Sequence, residues 1–213
     1  MLNNVIDLSH HNASVDFAKI KNAGIAGVIH KATEGATVND AMYTQRRTAA
    51  LAQNLMWGAY HFGSPGDGVA QAKHFLAVTK PTPKDLLVLD FEQNYDSHGK
   101  PAASMSLADA VKFVTYVQQQ TGRWPGLYGG SAYLQQVLGI THNATLANCW
   151  LWLAQYGPTP KIQATWPTWT MWQYTDGVNG NQPHSVDGVG NCDRDQFNGS
   201  LDGLQRLWGY ATT

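Results

Sequence analysis

Leu86-Leu87-Val88-Leu89-Asp90-Phe91-Glu92 opens on four aliphatic residues and closes on two carboxylates spaced two apart. An unbroken aliphatic run of this length reads as a strand buried on both faces, as in a parallel sheet. Side chains alternate along a strand, so Asp90 and Glu92 share one face, roughly 6.5–7 Å apart. At an effective dielectric of about 20, two negative charges at that separation repel by roughly 2.5 kcal/mol, close to two pKa units. If both are partly buried, one keeps its proton near neutral pH while the other ionises. A protonated acid beside an anion is the working pair of a glycosidase. On this stretch alone, two solvated acids at a strand end are the plainer alternative.

Outward from it, the same strand-then-helix unit recurs. Val5-Ile6-Asp7-Leu8 is a first strand, followed by the polar loop Ser9-His10-His11-Asn12. Ser14 can cap a helix over Val15–Ala23, ended by Gly24. Ile25–Ile29 gives a second strand that runs into His30-Lys31-Ala32-Thr33-Glu34-Gly35, and Asn39 or Asp40 starts a helix to about Gln53. Met56–Phe62 is a third strand, with a helix after it to about Thr79, broken by Pro81 and Pro83. Beyond the opening stretch, Ser106 caps a helix with Leu107, Val111, Val114 and Val117 on one side. Trp124–Gly129 and Ser131–Leu138 complete a fifth unit. There the alternation fails. Cys149–Tyr156 and Trp169–Thr175 are strands joined by a Pro-rich loop, a last strand lies in Asp193–Phe197, and Leu201–Leu207 can close the chain as a helix. Five β/α units followed by three strands predict an α/β fold: an irregular TIM-like barrel, (β/α)5(β)3, in one domain over residues 1–213.

Composition narrows the function. Charged residues make up only 14% of the 213, the net charge is −1, and eight Trp and nine Tyr make the chain aromatic. Phosphate binding needs clustered Lys and Arg, so nucleic acid is not an expected partner. The longest apolar runs are strand-length, so no transmembrane helix is expected. Met1-Leu2-Asn3-Asn4 runs straight into Val5 without a basic and apolar leader, and reads as lacking a secretory signal. Cys149 and Cys192, two strands apart, are expected beyond the ~7 Å Cα limit for bridging and are read as free, buried thiols. His10 and His11 are adjacent and diverge, so no metal site and no cofactor is expected.

In such a barrel, function sits at the C-terminal ends of the strands. Those ends deliver Asp7, Lys31 to Glu34, Tyr60-His61, Asp90 and Glu92, Tyr128, Gln155 and Gln173. Polar and aromatic residues recurring around one rim predict an acidic, aromatic-lined groove, where rings stack on sugars and carboxylates work on the linkage. Trp150, Trp152, Trp169 and Trp172 alternate on two strands, so about half belong to the core; Trp152 and Trp172 are the candidates for the groove. Lys31 and Glu34 can also simply pair with each other, and His61 reads as a hydrogen-bonded structural residue.

These residues resemble the muramidase lysozymes of glycoside hydrolase family 25 almost from end to end. Val5-Ile6-Asp7-Leu8-Ser9-His10 is similar to the family's opening strand, Lys31-Ala32-Thr33-Glu34-Gly35 to its second-strand motif, and Gly58-Ala59-Tyr60-His61-Phe62 to its third. Asp90-Phe91-Glu92 resembles its Asp-x-Glu centre. Leu151–Tyr156, Trp172-Gln173-Tyr174 and Cys192–Gly199 resemble its last three strands. The resemblance implies cleavage of the β-1,4 bond between N-acetylmuramic acid and N-acetylglucosamine in bacterial peptidoglycan. It implies Glu92 as proton donor and Asp90 as the group that steers the substrate acetamido group or stabilises the cationic transition state. Asp7 and Asp193 are implied to complete the acidic cluster, and the strand-end residues Tyr60, Lys31, Glu34, Tyr128, Trp152, Gln155, Trp172 and Gln173 are the expected substrate contacts. The family usually carries Asp-x-Asn in the last strand, where this chain has Asp193-x-Asp195, and Asp193 matches the first position. A monomer without a separate wall-binding module is expected, released to the wall by lysis, as a phage lysin is.

Two rivals stand beside this reading. Family 18 chitinases place an Asp-x-x-Asp-x-Asp-x-Glu run on a fourth strand, and Asp85, Asp90 and Glu92 fit it. Val88 occupies its second acidic position, and the chain is short for it. A peptidoglycan-binding module without catalysis needs aromatics but not four mutually repelling acids.

Overall fold

The computed structural model describes residues 1–210. Eight strands close into a barrel: β1 (Leu2–Leu8), β2 (Gly27–Glu34), β3 (Met56–Phe62), β4 (Leu86–Asp90), β5 (Gly126–Gly130), β6 (Trp150–Ala154), β7 (Met171–Thr175) and β8 (Asp193–Phe197). Neighbours from β1 to β7 pair in parallel, and β8 shuts the ring antiparallel to both β7 and β1. Helices α1 (Phe17–Asn22), α2 (Tyr43–Ala52), α3 (Gly68–Thr79), α4 (Leu107–Thr121) and α5 (Ser131–Leu138) follow the first five strands. The (β/α)5(β)3 expectation therefore holds. An antiparallel neighbour needs no crossover helix, which explains why the chain can pass from β7 to β8 through a loop. That reversal decides the site, because β8 presents its first residue, Asp193, at the rim where the other strands present their last.

Alternation divides the core in two. Val5, Ile29, Met56, Leu86, Val88, Trp152, Met171 and Phe197 point inward, while Ile6, Val28, Trp57, Leu87, Leu89, Leu127, Leu151 and Leu153 pack under the helices. The last helix, α6 (Leu201–Leu207), plugs the floor of the barrel. Leu204 and Trp208 join the inward cluster, and the Trp208 indole N–H donates to the Trp57 carbonyl at 2.8 Å. Gly27 leaves room for that ring; a Cβ there would stand 3.1 Å from it.

Some boundaries differ from the sequence reading. α1 is capped by Asp16, not Ser14: Asp16 Oδ1 accepts from the N–H groups of Ala18 at 3.0 Å and Lys19 at 3.1 Å. α2 starts at Tyr43 because Val38–Asn39 is taken up in a ribbon with Thr33–Glu34, and Asp40 turns its carboxyl to His10 and to the Met42 N–H. β5 begins at Gly126, two residues after Trp124. A second ribbon, Ser185–Val186 with Gly190–Asn191, lies in the β7–β8 connection. Both cysteines are free and buried, as expected. Among the described residues no helix is long and apolar enough to cross a membrane.

Candidate active site

A cleft of about 310 Å³ opens at the rim, lined by Asp7, Lys31, Tyr60, Asp90, Tyr128, Trp152, Gln173 and Asp193, one residue from each strand in turn. All eight are the inward-facing residues near the rim end of their strands. Phe62 at the end of β3, with Ser9, His11, Glu92 and Tyr156 just past strand ends, completes the wall. Asp90 is the last residue of β4, and Phe91 turns outward, its N–H held by the Tyr128 carbonyl at 2.9 Å. Glu92 returns to the cleft beside Asp90.

The polar side chains are fixed from below. Gln173 donates from Nε2 to Asp7 Oδ2 at 2.8 Å, and its Oε1 accepts from the hydroxyls of Tyr128 and Tyr156 at 2.9 Å each. Trp152 meets Tyr128 edge-on, ring centroids 4.8 Å apart, and donates its indole N–H to Asp195 Oδ1 at 2.7 Å. The loop after β1 is held by buried Arg46, which donates to the Ser9 carbonyl at 2.6 Å and to the Asn12 carbonyl. Arg46 also faces His30 Nε2 at 3.2 Å, while His30 Nδ1 meets the Lys31 carbonyl at 2.7 Å. A guanidinium cannot accept, so Nε2 is the acceptor and the proton sits on Nδ1. Burial lowers His30 to about 4, so it stays neutral.

Too many acids meet here for all to ionise. Burial, then the Asp193 carboxylate, pushes Glu92 up to about 7 against the pull of Lys31. Burial first and the charge of Glu92 second raise Asp90 well above the usual carboxylate range, again opposed by Lys31. Burial pushes Asp193 up to about 6. Burial, then Asp193 and Asp195, raises Asp7 well above its ordinary value, and the hydrogen bond from Gln173 only partly offsets this. Among the described residues Lys31 is the one Lys or Arg on the cleft wall; its Nζ lies 2.7 Å from Glu34 Oε2 and 4.8 Å above the Phe62 ring. Near neutral pH such a cluster offers both a proton donor and carboxylate acceptors. Among the described residues no group of three or more His, Cys, Asp or Glu is arranged to hold a metal ion.

The sequence model of the glycosyl hydrolases family 25 matches residues 6–182. The chain belongs to glycosyl hydrolase family 25. Lysozyme M1 of Streptomyces globisporus is 30% identical over 218 residues, spanning 95% of this chain and 70% of its own length. The N,O-diacetylmuramidase of a Chalaropsis species is 29% identical over 213 residues, spanning 94% of this chain and 96% of its own. The bacterial lysozyme structure from Streptomyces coelicolor superposes with a TM-score of 0.83 at 30% identity, covering 96% of this chain and 95% of that one. This family 25 member is a glycoside hydrolase whose relatives are named lysozymes and muramidases.

Within this family 25 barrel, the structure gathers Asp7, Asp90, Glu92, Asp193, Lys31, Tyr60, Tyr128, Trp152 and Gln173 around one cleft. Three expected contacts lie elsewhere. Gln155 is three residues from Trp152 and so out of phase with it; its amide holds the Thr159 carbonyl and the Lys161 N–H of the following loop. Trp172 precedes Gln173 and faces outward, 5% exposed, against Trp169 and Tyr174. Glu34 follows a bulge in β2 and is not on the cleft wall, but it holds Lys31 Nζ and adds its charge to that of Glu92 in raising Asp90. Gln93 is committed to its own loop, donating to Asn94, Ala102 and Ser104. Tyr156, absent from the expected contacts, stands four residues beyond Trp152, in phase with it. His61 is structural. Gln71 Oε1 accepts from the Ser64 N–H and from His61 Nε2, leaving His61 Nδ1 to accept from the Thr33 hydroxyl at 2.8 Å.

Proposed function

We propose that this glycoside hydrolase is a lysozyme that cleaves the β-1,4 bond between N-acetylmuramic acid and N-acetylglucosamine in bacterial peptidoglycan. The observation that carries the reading is buried Asp90 and half-buried Glu92 meeting on one cleft wall, with Glu92 pushed up to about 7. An acid of that strength holds its proton in about half of the molecules at neutral pH, as general-acid departure of a sugar requires. The relatives named a lysozyme and an N,O-diacetylmuramidase support the substrate class.

Glu92 donates its proton to the glycosidic oxygen as the bond to the anomeric carbon breaks. Asp90 Oδ1 is buried without a hydrogen-bond partner among the described residues, an acceptor suited to the N–H of a substrate acetamido group. Held there, the acetamido carbonyl oxygen adds to the anomeric carbon and disperses its positive charge. Glu92, now a carboxylate, takes a proton from the water that opens this intermediate, which restores the acid. Asp7 and Asp193 supply negative potential under the cationic transition state, Lys31 limits how far the acids are raised, and Tyr60, Tyr128 and Trp152 give the sugar its apolar walls. The protein acts on the cell wall as a monomer after release from the cell that makes it.

Mass spectrometry of borohydride-reduced muropeptides tests the assignment. Fragments ending in reduced muramic acid are expected; fragments ending in reduced glucosamine would refute the bond assigned.

A further inference from the structure

We propose that Asp195 is a positioning residue that holds the Asp7 carboxyl in the cleft floor by sharing one proton with it. Asp195 lies on β8 two residues beyond Asp193, points inward, and is 0% exposed. Its Oδ1 accepts from the Trp152 indole at 2.7 Å, and its Oδ2 is buried with no N–H or hydroxyl donor. Besides Trp152, the side chain that hydrogen-bonds to Asp195 is Asp7 on the neighbouring β1, whose Oδ2 already accepts from Gln173 at 2.8 Å. Two carboxylates have no hydrogen to offer each other, so a buried contact between them stands only with a proton in it.

The surroundings favour keeping that proton. Burial leads in raising both acids, and the Asp193 charge adds to each. Asp90 adds to Asp7 from β4, and half-buried Tyr60 faces Asp7 from β3. Arg194 is a cation acting on Asp195, and its guanidinium is directed to the Ser185 carbonyl and Asn3. The pair thus carries one negative charge, not two. It also joins Trp152 through Asp195 and Asp7 to Gln173, a chain of hydrogen bonds linking β6, β8, β1 and β7 across the floor. The functional part of this inference rests on the cleft being the site of hydrolysis proposed above.

Carbon-13 labelling of the aspartate carboxyls in the full chain tests it by NMR titration. In the unsubstituted protein, Asp7 and Asp195 are expected to titrate as a coupled pair that still holds one proton at neutral pH. In Asp195→Asn the amide donates to Asp7 and the neighbouring charge is gone, so Asp7 titrates alone and at lower pH. Both acids ionised at neutral pH, or an Asp7 titration unmoved by the substitution, would overturn the shared proton. With peptidoglycan as substrate, Asp195→Ala is expected to lower kcat about ten- to hundredfold with little change in KM, and Asp195→Asn to restore most of it. A folded Asp195→Ala protein with undiminished kcat would overturn the positioning role. If the alanine variant does not fold, the asparagine titration still decides. An unsubstituted chain that released no reducing ends would count against the proposed function and leave the titration result standing.

Discussion

Gln173 binds Asp7 through one end of its amide, Nε2 to Oδ2 at 2.8 Å, and at the other end accepts the hydroxyls of Tyr128 and Tyr156. One buried side chain therefore orients an acid and two aromatic walls at once. Replacing it with an apolar residue of similar volume strands Asp7 and the Tyr128 hydroxyl in the cleft floor. Gln173→Leu is expected to lower stability by about 2–4 kcal/mol and kcat by about tenfold or more. Urea unfolding and reducing-end release measure the two; a variant equal to the parent in both would contradict the network.

Glu92 should cost the fold stability as the pH rises. Its carboxyl is raised from an ordinary 4.5 to about 7, so the folded state binds the proton more tightly than the unfolded chain does. Its contribution is full below about 4.5 and is lost as the pH climbs through about 7. Glu92→Gln cannot ionise, so its stability relative to the parent should grow by up to about 3 kcal/mol between pH 5 and pH 8. Denaturant unfolding at the two pH values reads the gap. A gap that stays constant would mean that Glu92 is not held protonated by burial.

Tyr156 and Trp172 should separate binding from packing. The Tyr156 hydroxyl lies on the cleft wall, whereas the Trp172 indole faces outward and donates to the Gln155 carbonyl at 2.8 Å. Tyr156→Phe is expected to reduce kcat/KM about two- to tenfold with an unchanged melting curve. Trp172→Phe should cost about 1 kcal/mol of stability or more and leave KM unaltered. Interchanged outcomes would place the wrong ring in the cleft.

That pair of rings also shows what a sequence can and cannot disclose. Leu86–Glu92 announces a buried strand carrying two acids, and the recurring strand–helix unit announces the barrel, because both are local patterns. Phase along a strand is legible too: Trp152 and Tyr156 are separated by an even number of residues, Trp152 and Gln155 by an odd one. Applied strictly, alternation would have excluded Gln155, set Trp172 apart from Gln173, and brought in Tyr156. The direction of β8 is not local. Nothing in Asp193–Phe197 says that it runs against its neighbours, yet that reversal is what brings Asp193 to the rim. Nor does the spacing reveal that Asp195 meets Asp7, since the contact joins opposite ends of the chain across an antiparallel pair whose register sets Asp7 against Asp193.

The most direct measurement is the rate at which purified peptidoglycan yields new reducing ends with the parent and with Glu92→Gln, near neutral pH. The amide keeps the shape and loses the proton. A fall of about 10²–10⁴-fold with the fold intact by circular dichroism is the expected result; a variant that turns over at the parent's rate would contradict the role of Glu92 as the acid.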